Sequence, residues 1–328
     1  MPERRDVFMR NSLIRTSLYQ ATYERMKVDP LIFLIGEGAK IKTFYDFKPI
    51  YNEMNDRILQ WPIAEDSGLN AAMGANLMGV KMIFNIITFD FAYRTFDSIS
   101  NTIATTMHIL GKDAVPLVIQ AEFLLFSPST GQRGEALYSH IPNISVVIPS
   151  TPIDAYGLML EALQTNQATM VLEDRMIVDA KTKDADKFPS ILPPARMGGS
   201  RIRRMGNGLT IVSYALTRQR TEEVLDAHPE WDVEFIDMYS IKPYDKEIIL
   251  ASALRTKKLL IIEHDIVGFG VGAEIIAMVT EAASKKGTFI KVKRIGAPMH
   301  TIPASQALHD YMIPNNERIE RAIKEMLA

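Results

Sequence analysis

The stretch Trp61-Pro62-Ile63-Ala64-Glu65-Asp66-Ser67-Gly68-Leu69-Asn70-Ala71-Ala72-Met73-Gly74 holds the residue types needed for proton chemistry on a carboxylate. Pro62 removes a backbone donor and fixes φ, so the chain approaches Glu65 extended. Glu65 and Asp66 then fall in the first turn of a predicted helix, where the helix dipole favours negative charge. Gly68, Ala71, Ala72, Gly74 and Ala75 leave that helix almost without side chains. Glycine costs about 1 kcal/mol against alanine in a helix interior, so the bare positions suggest close approach by another backbone or a ligand. Two readings stand. One is a partly buried acid held beside a bound ring; the other is an acidic first turn on a packed helix, which these residues alone favour.

Other candidates are weaker. Gly268-Phe269-Gly270-Val271-Gly272-Ala273 follows a predicted strand and opens a predicted helix, a permitted form of the dinucleotide fingerprint. The acid expected at the end of the next strand is missing, since that region reads Lys291-Val292-Lys293-Arg294. Close packing of the helix on its sheet is the better reading of these glycines. Of the 6 histidines, none pairs with another ligand at metal-binding spacing on a helix face. His140 precedes a Pro-Asn turn and His264 is expected directly after a strand, and both read as structural. Phe89, Phe91, Tyr93 and Phe96 suit a core, but Phe91 lies just past a predicted strand, where an aromatic ring can stack on a flat ligand.

The elements that must position these residues alternate strand with helix. Apolar residues at Leu13, Ile14, Leu18, Tyr19 and Tyr23 predict a helix over 11–27, stopped by Asp29-Pro30. Short apolar runs at 31–35, 81–87, 115–120, 145–149 and 169–173 read as strands buried on both faces. Residues 40–57 read as a loop with a short helix, and Ser150-Thr151-Pro152 as a hydroxyl-capped helix start. Lysine, proline and glycine over 181–203 predict an interdomain linker. Strands then recur at 209–214, 233–237, 258–263 and 289–293, with helices near 217–227, 245–255, 270–285 and 316–327. The fold class is α/β, with two doubly wound domains over 1–180 and 204–328.

Composition sets the outer limits. A chain of 328 residues most naturally holds two domains. A net charge of -2 with no basic block argues against nucleic acid as a partner. With Cys at 0, disulfides, thiolate catalysis and cysteine-ligated metals are excluded. The polar N-terminal sequence is not that of a signal peptide, and no apolar run reaches the roughly 20 residues that span a bilayer. A cytoplasmic enzyme or enzyme subunit is expected, without a membrane partner.

Short landmarks along nearly the whole chain carry a resemblance. They are Gly36-Glu37, Pro62-Ile63-Ala64-Glu65-Asp66-Ser67-Gly68, Phe96-Asp97-Ser98-Ile99, His140-Ile141-Pro142-Asn143, Val147-Ile148-Pro149-Ser150-Thr151-Pro152, Ile236-Asp237, Lys242-Pro243 and Gly270-Val271-Gly272-Ala273-Glu274. In this order and spacing they resemble the β subunit of the thiamine-diphosphate-dependent 2-oxoacid dehydrogenase E1 component, in the transketolase-like group. The resemblance implies a pyrimidine-binding domain followed by a transketolase C-terminal-like domain. It implies that Glu65 contacts N1′ of the cofactor's aminopyrimidine and is catalytic, that Phe91 stacks on that ring, and that Glu37 belongs to the cofactor-binding set. A carboxyl group sharing a proton with N1′ favours the imino tautomer, which takes the proton from thiazolium C2 and readies the cofactor as an electron sink.

The family's diphosphate and Mg²⁺ site needs a Gly-Asp-Gly motif, which this chain lacks. The resemblance therefore implies a separate α subunit that holds Mg²⁺, an α₂β₂ heterotetramer, and no metal ligand on this chain. One stretch departs from the family. Its glycine-rich loop ends in His-Ser-Gln, whereas this chain reads Ser129-Thr130-Gly131-Gln132-Arg133. Thr130 takes the histidine's place, Gln132 is retained, Arg133 is added, and His140 follows. The departure implies a substrate or acceptor other than pyruvate and lipoamide, as in an acyloin-type carboligase or a split transketolase, with Arg133 either meeting an anionic group or standing solvated. A non-catalytic partner subunit is the remaining alternative, against which Glu65 and Phe91 both speak.

Overall fold

The computed structural model describes residues 14–40, 48–110, 115–123, 131–178, 195–301, 303 and 305–328. Within them the chain divides into two units, one of residues up to 123 with 137–197, the other of 131–136 with 198–328.

The first unit opens with helix Ile14–Val28 and β1 (Ile32–Gly36). After the short helix Lys48–Glu53 come β2 (Ile58–Gln60), helix Glu65–Leu77 and β3 (Lys81–Ile86). Beyond β3 the backbone passes through a helical turn (Phe89–Ala92), a 3₁₀ turn (Tyr93–Thr95), a π-helical stretch (Ser98–Ile103) and the α-helix Ala104–Leu110. Then follow β4 (Leu117–Phe123), β5 (Ser145–Val147), helix Pro152–Gln164 and β6 (Thr169–Asp174). The strands run parallel in the order β5-β6-β4-β3-β1-β2. Except at the edge strand β2, where Leu59 is exposed, their apolar runs are largely buried, as a sheet covered on both faces demands. Thr151 accepts the Asp154 N–H at 3.3 Å and Pro152 occupies the first turn, the expected helix start. From β1 the chain moves to β2 on one side, whereas from β3 it moves to β4 on the other. That reversal puts a crevice at the carboxyl ends of β1 and β3, the general location of ligands in open α/β sheets.

The second unit contains β7 (Arg201–Arg204), β8 (Leu209–Ser213), β9 (Val233–Asp237), β10 (Ser240–Lys242), β11 (Lys258–Ile266) and β12 (Lys291–Ala297). Its 5-stranded sheet has the order β12-β11-β8-β9-β7, parallel except for β7 against β9. Leu209, Phe235, Leu260 and Ile262 pack with Ile319, Ile323 and Met326 of helix Asn316–Leu327 in its core. Of the linker expected over 181–203, residues up to 194 lie outside the described ones, and 201–203 already belong to β7. β11 runs three residues past its predicted end, so His264 lies inside the strand and is buried, not in a following turn.

Candidate functional site

The helix that carries Glu65 begins at Glu65 itself. Its side chain is only 7% exposed, although the neighbouring Ile63 is 77% exposed. Arg94, itself 76% exposed, brings Nε to 3.9 Å from Glu65 Oε2. Among the described residues no hydrogen bond reaches this carboxylate. The next residue behaves differently. Asp66 accepts a short hydrogen bond from the Ser98 hydroxyl, and Asn70 Nδ2 donates to Asp66 O at 2.9 Å and to Ser98 Oγ at 2.7 Å. Asp66, Asn70 and Ser98 thus fasten the helix start to the π-helical stretch without engaging the Glu65 carboxylate. Sequence reasoning missed this clasp. Its only trace is the polar pair Asp66 and Asn70 at helical i,i+4 spacing.

At Gly68 the close approach comes from side chains within the unit. A Cβ on Gly68 would stand 2.7 Å from the Phe84 ring and 2.8 Å from the Trp61 ring, while around Gly74 nothing lies within 4 Å. Two aromatic side chains of the same unit, and no second backbone, press on Gly68. Gly68→Ala is expected to destabilise by about 1–2 kcal/mol through overpacking, while Gly74→Ala stabilises by about 0.5–1 kcal/mol. Thermal unfolding of the two variants gives shifts of opposite sign; equal shifts would remove this account of the helix.

Glu37 follows β1 directly. Gly36 lets that strand lie against Asn85, where a Cβ would meet the Asn85 carbonyl oxygen at 2.3 Å. Gln60 Nε2 donates to Glu37 O at 3.1 Å and fixes the turn. Glu37 Oε2 is buried and has no hydrogen-bond partner among the described residues. Burial, and then the negative charge of Glu65, hold the Glu37 carboxyl above its usual range. The two carboxylates therefore share one electrostatic neighbourhood.

Phe91 sits in the helical turn after β3 and is half-buried. Its neighbours are spoken for: Phe89 packs at 4.5 Å on Phe123 and 5.5 Å on Tyr138, and Phe96 at 5.7 Å on Tyr138. Tyr138 donates to Ala92 O at 2.6 Å, which pins this turn. Phe91 alone of the four aromatics from 89 to 96 makes no ring contact among the described residues. A flat heterocycle with a basic ring nitrogen fits these features together: two carboxylates without hydrogen-bond partners and one unmatched ring, all at the carboxyl ends of β1, β2 and β3. Among the described residues no group of three or more His, Asp or Glu could hold a metal.

Thr130 lies outside the described residues. His140 is exposed, and Gln132 is half-buried. Arg133 is neither solvated nor open to a ligand. Its side chain is 1% exposed, its Nη2 lies 2.8 Å from Glu135 Oε1, and its Nη1 lies 3.3 Å from His264 Nδ1, all within the second unit. Tyr214 donates to the same Glu135 oxygen at 3.2 Å.

The glycines at 268–272 are also explained from inside. Glu263 of β11 accepts the Gly272 N–H at 3.0 Å, at the start of helix Val271–Lys285. A Cβ on Gly270 or on Gly272 would come within 2.8 Å of the Glu263 carboxyl oxygens. The position where a dinucleotide phosphate would meet this helix is filled by a side chain of the protein itself.

Two family matches cover most of the chain: residues 13–180 match "Transketolase, pyrimidine binding domain" and residues 198–319 match "Transketolase, C-terminal domain". The chain is similar to the pyruvate dehydrogenase E1 component subunit beta of Rickettsia conorii, with 31% identity over 82% of this chain and 84% of that protein. It is similar to the mitochondrial pyruvate dehydrogenase E1 component subunit beta of Homo sapiens, with 28% identity over 96% of this chain and 90% of that one. Among solved structures, one titled "Split gene transketolase, inactive beta4 tetramer" shares the fold with a TM-score of 0.78 at 20% identity, covering 97% of this chain and 98% of its own.

Proposed function

The chain belongs to the thiamine-diphosphate-dependent 2-oxoacid dehydrogenase E1 β-subunit family, and from that membership we propose that it contributes the pyrimidine-activating half of an active site completed by an α subunit. The observation that carries the proposal is the Glu65 carboxylate, 7% exposed and without a hydrogen-bond partner among the described residues, at the head of its helix. When bound, thiamine diphosphate supplies the electron sink for the carbonyl carbon of a 2-oxoacid. Glu65 holds the proton shared with the ring nitrogen. Phe91 gives the ring a flat apolar face. Glu37, its carboxyl raised by burial and then by the charge of Glu65, places a second carboxyl group in the same electrostatic neighbourhood. Pro62 and the Asp66–Asn70–Ser98 clasp hold the Glu65 backbone while the carboxylate exchanges protons.

The diphosphate and its Mg²⁺ fall to the partner, because this sequence contains no Gly-Asp-Gly. An α₂β₂ heterotetramer is the assembly this division of labour favours. Calorimetry tests it: the isolated chain is expected to bind thiamine diphosphate weakly or not at all with Mg²⁺ present, and a complex with the α subunit tightly. Tight Mg²⁺-dependent binding by this chain alone would sink the proposal. A second reading concerns the acceptor. With Thr130 in place of the loop histidine, we favour a ketol or acyl acceptor other than a lipoyl group, the chemistry of a carboligase or a split transketolase. If Thr130→His leaves acceptor preference unchanged, that second reading falls while the first stands.

A further inference from the structure

We propose that the second unit carries a binding site for a small organic phosphate with a planar ring, of the nucleoside diphosphate class, in the groove between the end of β12 and the start of helix Asn316–Leu327. The groove encloses about 710 Å³ and is lined by Arg294, Arg318, Arg321, Tyr311, Asn315 and Glu317, among others. Small-molecule sites span about 300–1,000 Å³.

The charge on these walls is unbalanced. Three guanidiniums share the groove with a single carboxylate, Glu317, and none of the three forms an ion pair with a carboxylate among the described residues. Two of them are held by backbone carbonyls, which fix their position without cancelling their charge. Arg318 donates to Met312 O at 2.7 Å, Gly296 O at 2.9 Å and Tyr311 O at 3.2 Å, and Arg294 donates to Val267 O. Arg321 is exposed on the same helix, one turn beyond Arg318. Burial and the repulsion of Arg321 both lower the Arg318 pKa, so an anion between the two relieves an existing strain. Glu263 senses Arg294, but it holds its own proton up to about pH 7 and offers little compensation. Forked guanidiniums at fixed positions match phosphate oxygens in geometry as well as charge. Beside them Tyr311, 75% exposed, lines the same groove, and an exposed aromatic ring can stack on a base.

Titration of the full 328-residue chain with pyrophosphate and with ADP, followed by calorimetry at low and at moderate salt, tests the site. Both probes are expected to bind saturably, one per chain, and more weakly as salt rises. Arg321→Ala, at an exposed position that leaves the thermal midpoint unchanged, weakens both by about tenfold. Tyr311→Ala weakens ADP by about tenfold and leaves pyrophosphate unchanged. The proposal is overturned if neither probe gives saturable heat, or if Arg321→Ala binds both as the parent does. Equal behaviour of ADP and pyrophosphate in parent and Tyr311→Ala alike overturns the nucleotide assignment.

Discussion

Glu65→Gln is expected to lower turnover of a 2-oxoacid by about 10²–10⁴-fold, the usual weight of a positioned acid–base group, in a complex reconstituted with the α subunit. The same substitution leaves the fold and the assembly intact. Glutamine fills the volume of glutamate and keeps an oxygen and a polar hydrogen on the side chain, but it cannot share a proton with a ring nitrogen. The interactions it gives up are small. The Arg94 contact at 3.9 Å involves a side chain 76% exposed, and such surface pairs contribute little. The dipole term at the first helical turn is worth a few tenths of a kcal/mol, about 0.3–1 at most. A catalytic role thus separates cleanly from a structural one: steady-state turnover collapses while light scattering still finds the complex and thiamine diphosphate still binds it. Turnover within a factor of about two of the parent would remove Glu65 from the mechanism.

The second large effect is a stability that falls as pH rises. Burial raises the Glu263 carboxyl from its ordinary 4.5 to about 7, with Glu135 adding in the same direction and the Gly272 N–H and Arg294 opposing. Asp265, two residues on, is raised as well, chiefly by burial and then by Glu135, with Arg133 opposing. A carboxyl whose pKa is higher in the folded chain binds its proton more tightly there, so its stabilisation is complete below the unfolded value and is lost as pH climbs to the folded one. For Glu263 the window runs from 4.5 to about 7, and the loss across it is about 3 kcal/mol. Glu263→Gln should match the parent near pH 4 and exceed it by about 3 kcal/mol at pH 8, measured by denaturant unfolding. A parent whose stability is level or rising between these values contradicts the assignment. The Arg133–Glu135 pair, with Tyr214 on the same oxygen, belongs to this buried set and must be intact in the chain measured.

Much of this architecture was legible in the residues, and the omissions have physical reasons. Helix Ile14–Val28, the apolar strands and helix Pro152–Gln164 follow from periodicity and capping, and they lie where those signals put them. β2 escaped notice because Ile58-Leu59-Gln60 is three residues at a sheet edge, too short for alternation to register. β7 reads Arg-Ile-Arg-Arg, a composition that resembles a linker more than a strand. The π-helical turn at Ser98–Ile103 is a shift in hydrogen-bond register, which leaves no mark on composition. Glu65 was visible as an acid heading a helix and Phe91 as an aromatic just past a strand, but its stacking role came through the family resemblance. That Phe89 is core and Phe91 lacks a ring partner depends on Phe123 and Tyr138, residues distant in sequence. Arg133 misled for the opposite reason. Its polar, glycine-rich surroundings suggest solvent, and only the three-dimensional pairing with Glu135 and His264 reveals it as interior.

The cradle around Glu263 bears on how such sequences are screened. A glycine string of the type seen at 268–273 has two possible tenants, a phosphate arriving from outside or a side chain rising from the strand beneath. Here the tenant is resident, an acid nine positions ahead of the amide it occupies. A search for nucleotide enzymes that scored the glycines while ignoring that upstream acid would enrol this chain by mistake, and one that penalised the acid would pass it over.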